Sequence, residues 1–112
     1  QPIPGLHPET LLAIRAGLER VVQDPQGTGY KTVRLREVAI AGKTGTAETG
    51  GGRPDHAWFA GYAPADNPRV AFAVVVEHGG SGGKVAGPIA RDYVRKLLET
   101  GLITPSAPLA GQ

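Results

Sequence analysis

At 112 residues, with a formal net charge of +2 and no cysteine, the chain has the length of one domain, and a domain of that size buries roughly two-thirds of the surface its unfolded form exposes. The missing cysteine excludes a disulfide framework and a thiolate metal site. The basic residues, scattered from Arg15 to Lys96, make no stripe of the kind that binds nucleic acid or a membrane surface. Apolar residues at 40% and charged residues at 20% argue against disorder throughout, while 17 Gly and 10 Pro point to tight turns and stiff connectors.

Gln1 opens a chain that contains no methionine, so the expectation is a fragment, a processed product or an excised piece. No apolar run approaches the roughly 20 residues that cross a bilayer, and no basic-then-apolar signal opens the chain. Any export signal or anchor is therefore expected upstream.

Between Pro8 and Asp24, Leu11, Leu12, Ile14, Leu18, Val21 and Val22 recur at spacings of three and four, which predicts an amphipathic helix entered through Pro8 and stopped by Pro25 and Gly27. Gly27 to Glu37 has no clear period and reads as a loop. Val38 to Ala47 is predicted as a strand, followed by a hairpin-like tip at Gly50, Gly51, Gly52 and Pro54 that is expected to be mobile. A second strand spans His56 to Ala63 and a third Arg69 to His78, joined by the turn Pro64-Ala65-Asp66-Asn67-Pro68. Short connections make the three strands antiparallel. On the third, Val70, Phe72, Val74 and Val76 share one face and Ala71, Ala73 and Val75 the other, which predicts a central strand covered on both sides. Past the glycine-rich stretch 79–83, Val85, Ile89, Tyr93 and Leu97, with Val94 and Leu98 beside them, mark a closing helix ended by Gly101. The tail 104–112 is expected to fray. The order predicts an α+β fold, an antiparallel sheet of three strands packed with N- and C-terminal helices, as one unit over 1–112 with no internal repeat and no linker.

The chemistry concentrates in Ala41-Gly42-Lys43-Thr44-Gly45-Thr46-Ala47. Period two puts Thr44 and Thr46 on one face and Lys43 and Gly45 on the other. Two hydroxyls near a lysine suit a carboxylate, and Gly45 lets a ligand backbone run close to the strand. The plain alternative is an edge strand with a solvated lysine and a glycine bulge. A P-loop is excluded, since position 37 is Glu where that motif needs Gly and no helix follows Thr44.

Three stretches together carry a resemblance: Lys43-Thr44-Gly45-Thr46-Ala47-Glu48, His56-Ala57-Trp58-Phe59-Ala60-Gly61-Tyr62-Ala63-Pro64, and Val74-Val75-Val76-Glu77-His78-Gly79-Gly80. They closely resemble the end of class B penicillin-binding proteins, from about Gly5 to Leu98. The Trp-Phe-Ala-Gly-Tyr-Ala-Pro strand and the Gly-Gly-Ser-Gly-Gly loop look more like the cell-elongation group, penicillin-binding protein 2, than the division group. The resemblance implies a serine-type D,D-transpeptidase that cross-links peptidoglycan stem peptides by acyl transfer and is acylated by β-lactam antibiotics. In that family the site is assembled from Ser-x-x-Lys, Ser-x-Asn and Lys-Thr-Gly elements in chain order. Only the last is in its expected context here, so the chain is expected to be inactive alone. By resemblance Lys43 supports electrostatics and proton shuttling, the hydroxyls of Thr44 and Thr46 bind the ligand carboxylate along Gly45, and the Thr46 backbone N–H is one of two oxyanion-hole donors.

The implied partners are the stem peptide, β-lactams, the remainder of the transpeptidase domain and the cell-elongation machinery. No nucleic acid and no membrane contact by this chain are expected. The parent is placed outside the cytoplasm, anchored by an upstream transmembrane helix. Two rival readings share the fold: a serine β-lactamase or carboxypeptidase, and a non-catalytic module that docks peptides or partner proteins.

Ser81-Gly82-Gly83-Lys84 matches Ser-x-x-Lys literally, but it follows the third strand instead of preceding Lys-Thr-Gly, and its glycines hold Ser81 poorly. No nucleophile is therefore assigned in this chain. The three histidines lack ligand spacing, so no metal or cofactor is expected. His56 is read first as a structural hydrogen-bonding residue and second as part of the cleft rim. Asp55 and Glu48 are read as solvated charges, and Trp58, Phe59, Tyr62 and Phe72 as core or strand-packing residues.

Overall fold

A computed structural model describes residues 4–105. Helix α1 (Pro8–Gln23) leads through an irregular segment to β1 (Ala41–Ala47), β2 (His56–Ala63) and β3 (Val70–Val76). A π-helical turn (Gly82–Ala86) then runs directly into α2 (Gly87–Glu99). The strands form one antiparallel sheet in the order β1-β2-β3, as short connections require. Register pairs Thr44 with Phe59 and Phe59 with Val74, and in the alternate layer Gly45 with Trp58 and Trp58 with Val75. The tail from residue 106 onward lies outside the described residues.

One face of this sheet carries the core. Phe59 and Ala57 are fully buried there with Val22, Val33, Ile40 and Val94. Helix α2 seals that face through Gly87, Ala90, Val94 and Leu97, spaced three and four apart. The expected stripe through Ile89 and Tyr93 is thus displaced around the helix: both are more than two-fifths exposed, with Tyr93 covering Phe72 at a ring separation of 5.3 Å. Small residues win the contact because they let the helix come close. A Cβ on Gly87 would lie 2.3 Å from the Thr32 hydroxyl.

Three further expectations are corrected. Among the described residues the third strand is an edge strand, not a central one, and the face bearing Ala71, Ala73 and Val75 is exposed, Val75 by 64%. Its second apolar face is therefore covered by nothing among the described residues. The same holds for the first half of α1, where Leu11, Leu12 and Ile14 are 44%, 65% and 50% exposed and Val22 is the buried residue of the helix. Finally, Val38 to Ile40 are buried but precede the ladder. Tyr62 pairs with Ala41, and beyond Ala63 the chain enters Pro64, which has no N–H to extend the pairing.

The closing helical stretch also begins earlier than periodicity suggested. Ser81 caps it, the Val85 N–H donating to the Ser81 carbonyl at 2.9 Å. Gly82 presses on β1, where an added Cβ would sit 2.2 Å from the Gly45 carbonyl oxygen. Only glycine permits that approach.

Candidate active-site wall

Strand β1 has a partner on one side only, so its outer edge is free among the described residues. The ladder from Ala41 to Ala47 is continuous and holds no bulge. The alternation inferred from sequence is present: Thr44 belongs to the Phe59 layer and is 6% exposed, whereas Lys43, one position back, is exposed. Gly45 lies under Trp58, and an added Cβ would meet the indole at 2.1 Å. Its missing side chain is thus already required by packing within this chain.

Beside the free edge, on the hydroxyl side, lies a cleft of about 410 Å³. Thr44, Gly45 and Thr46 form one border, Thr28, Lys31 and Thr32 from the irregular segment a second, and Ser81 to Lys84 a third. The Thr28 and Thr44 hydroxyls are hydrogen-bonded at 2.7 Å. Because each hydroxyl offers one proton and two lone pairs, one proton of the pair remains available to a ligand. Thr46 is exposed and carries no such tie among the described residues.

Lys43 does not share this cleft. Its Nζ donates to the Thr44 carbonyl at 3.0 Å, and the side chain borders a separate groove with Gly17, Arg20, Val21 and Asp24 of the α1 end. The three expected contact residues Thr44, Gly45 and Thr46 are therefore brought together, with Lys43 behind them.

The segment 27–37, which shows no period, contributes Thr28, Lys31 and Thr32, and sequence reasoning did not single these out. The one available signal was Gly27-Thr28-Gly29, a threonine between glycines of the kind that marks close packing. An added Cβ on Gly27 would lie 2.2 Å from the Val21 carbonyl oxygen.

Ser81 borders the cleft, but its Oγ only accepts a long contact from the Lys84 N–H at 3.4 Å, which is a capping arrangement. His56 serves a structural bond: its Nδ1 accepts from the His78 N–H at 2.9 Å, while the His78 ring Nδ1 meets the Pro54 carbonyl at 2.8 Å. Since that carbonyl can only accept, His78 Nδ1 carries a proton and His56 Nδ1 does not. Among the described residues no group of three or more His, Asp or Glu could hold a metal ion.

Residues 5–95 match the penicillin-binding protein transpeptidase domain family. The peptidoglycan D,D-transpeptidase MrdA of Haemophilus influenzae is 38% identical over 100 residues, covering 77% of this chain and 15% of the relative. Among solved structures, the penicillin-binding protein (PBP2) of Helicobacter pylori in complex with MreC aligns with a TM-score of 0.77 at 33% identity over 92% of this chain and 20% of that one. The imipenem acyl-enzyme of penicillin-binding protein A from M. tuberculosis aligns with a TM-score of 0.65 at 35% identity over 83% of this chain and 20% of that one. The chain thus spans between 15% and 20% of the length of these relatives. With residues 5–95 matched to that family and a three-stranded antiparallel sheet and flanking helices like those of the solved structures, the chain belongs to the penicillin-binding protein transpeptidase domain family and is of the penicillin-binding protein 2 type.

Proposed function

We propose that this chain is one wall of the acyl-transfer site of a peptidoglycan D,D-transpeptidase that cross-links stem peptides, and that β-lactams acylate a serine lying outside the chain. The observation that carries the reading is the free β1 edge presenting Lys43 to Thr46 beside a hydroxyl-lined cleft. A ligand strand pairs antiparallel along that edge, where main-chain hydrogen bonds give affinity and alternate pockets give selectivity. The exposed Thr46 hydroxyl takes the ligand carboxylate, and the hydrogen-bonded Thr28–Thr44 pair donates its one remaining proton from a fixed position.

The Thr46 backbone N–H is one oxyanion-hole donor, and the nucleophile's own N–H is the second. Loss of a single such donor costs about 3 to 4 kcal/mol of transition-state stabilisation. A wall with half the hole and no nucleophile is therefore inactive alone. Lys43, behind the strand, contributes positive charge and supports proton movement at the serine. The open sheet face and the bare half of α1 dock the remainder of the transpeptidase domain, so that 1–112 is part of one domain and not a whole one. By analogy with the M. tuberculosis acyl-enzyme, the assembled site is a β-lactam target. By analogy with the H. pylori complex, the parent works with the elongation machinery, outside the cytoplasm and anchored by a helix not contained here.

The test is the rate of fluorescent-penicillin acylation in the protein carrying the complete site. Thr46→Val is expected to slow it about tenfold, the worth of roughly 1.4 kcal/mol in a charge-assisted hydrogen bond. An unchanged rate removes Thr46 from the contact.

A further inference from the structure

The two hydroxyls of β1 and the lysine that precedes them face different spaces. Lys43 is committed to the Thr44 carbonyl and to the groove near α1. The cleft that holds Thr44 and Thr46 is bordered instead by Lys31 and Lys84, and no aspartate or glutamate borders it. Among the described residues neither of these ammonium groups has an ion-pair or hydrogen-bond partner, whereas Lys96 pairs with Glu99. Lys84 lies in the first turn of the helical run 82–99, and Gly82 and Gly83 at its start border the same cleft. That end of a helix adds partial positive charge.

Two unopposed ammonium charges, a helix start and a row of hydroxyls make a local field that attracts an anion. Lysine is suited to this task because its compact charge on a flexible stem needs no fixed bidentate geometry.

We propose that Lys84 and Lys31 are specificity-determining residues for this site: they supply the charge that selects a carboxylate-bearing ligand, while Thr44 and Thr46 fix its position. The inference rests on the acyl-transfer reading. It moves the anion-selecting charge from Lys43 to two residues that belong to other segments. Both side chains stand at the surface, so each contribution is moderated by solvent and salt. Removing either charge is expected to weaken ligand capture roughly three- to fivefold, and removing both roughly tenfold or more.

The experiment follows benzylpenicillin acylation against concentration in the protein carrying the complete site, separating the half-saturating concentration from the limiting rate. The variants are Lys84→Gln, Lys31→Gln, the pair together and Lys84→Arg. The paired variant is expected to raise the half-saturating concentration about tenfold, leave the limiting rate alone and flatten its salt dependence. Lys84→Arg is expected to retain most of the capture. Competition by N-acetyl-D-alanyl-D-alanine, but not by its amide, is expected to weaken in the paired variant, which extends the preference from the antibiotic's carboxylate to the peptide's. Acylation of the unaltered protein with equal half-saturation and salt dependence in the paired variant overturns the inference alone. No acylation of the unaltered protein overturns the acyl-transfer reading, and this inference falls with it.

Discussion

The two faces of the sheet are nearly equal in composition and opposite in fate. On one, Ala57, Phe59 and the half-buried Phe72, Val74 and Val76 are packed under α2. On the other, Ala60, Ala71, Ala73 and Val75 are exposed and Trp58 is half-covered. Apolar side chains are placed where a protein will bury them, since each costs free energy in water. The difference therefore separates what this chain packs for itself from what it offers to another part of the protein. The Lys43 to Thr46 edge lies at the seam of the two faces.

The sharpest way to break this comparison is to empty each face in turn. Phe59→Ala removes a fully buried ring and is expected to cost about 3 to 5 kcal/mol in equilibrium denaturant unfolding of this chain. Val75→Ala, at a side chain 64% exposed, is expected to stay within about 0.5 kcal/mol. In the protein carrying the complete domain the second value should rise towards that of a buried valine; equality in both contexts would mean that the open face is never covered.

A smaller effect sharpens the link between the core face and the site. Gly82→Ala pushes a methyl into the Gly45 backbone, which cannot yield as a side-chain tip does. Overpacking of this kind costs about 1 to 3 kcal/mol, readable as a lowered unfolding midpoint. It should also slow acylation by displacing β1. A milder effect than that of Phe59→Ala is expected of Thr44→Val, which keeps the shape but loses the 2.7 Å bond to Thr28. That change is expected to cost about 1 kcal/mol. Thr28→Val should cost a similar amount and the pair little more, since both remove one interaction.

The sequence made the elements legible where one face alone decides the pattern. Alternation placed Thr44 and Lys43 on opposite faces, and the clustering of a lysine, two threonines and a glycine marked β1 without any fold. Pattern failed where the deciding partner lies elsewhere. Val75 and Ala73 read as buried because their residue type is suited to burial, yet nothing among the described residues of this chain covers them. Leu11 and Leu12 misled for the same reason. In α2 the larger Ile89 and Tyr93 suggested one stripe, but Gly87 and Ala90 take the close contact because they are small. Lys31 drew no notice because its segment has no period, and Lys84 was weighed only within Ser81-Gly82-Gly83-Lys84; both come to border the same cleft as β1 only through tertiary packing.

The central claim is that this chain supplies a wall and the nucleophile comes from outside it. Fluorescent-penicillin labelling followed by intact-mass measurement tests it directly, on this 112-residue chain and on the longer polypeptide that includes a Ser-x-x-Lys element ahead of it. The account predicts label on the longer polypeptide alone. Label on the short chain, mapped to Ser81, would contradict the assignment of the nucleophile, and absence of label from both would leave a docking module in place of an enzyme.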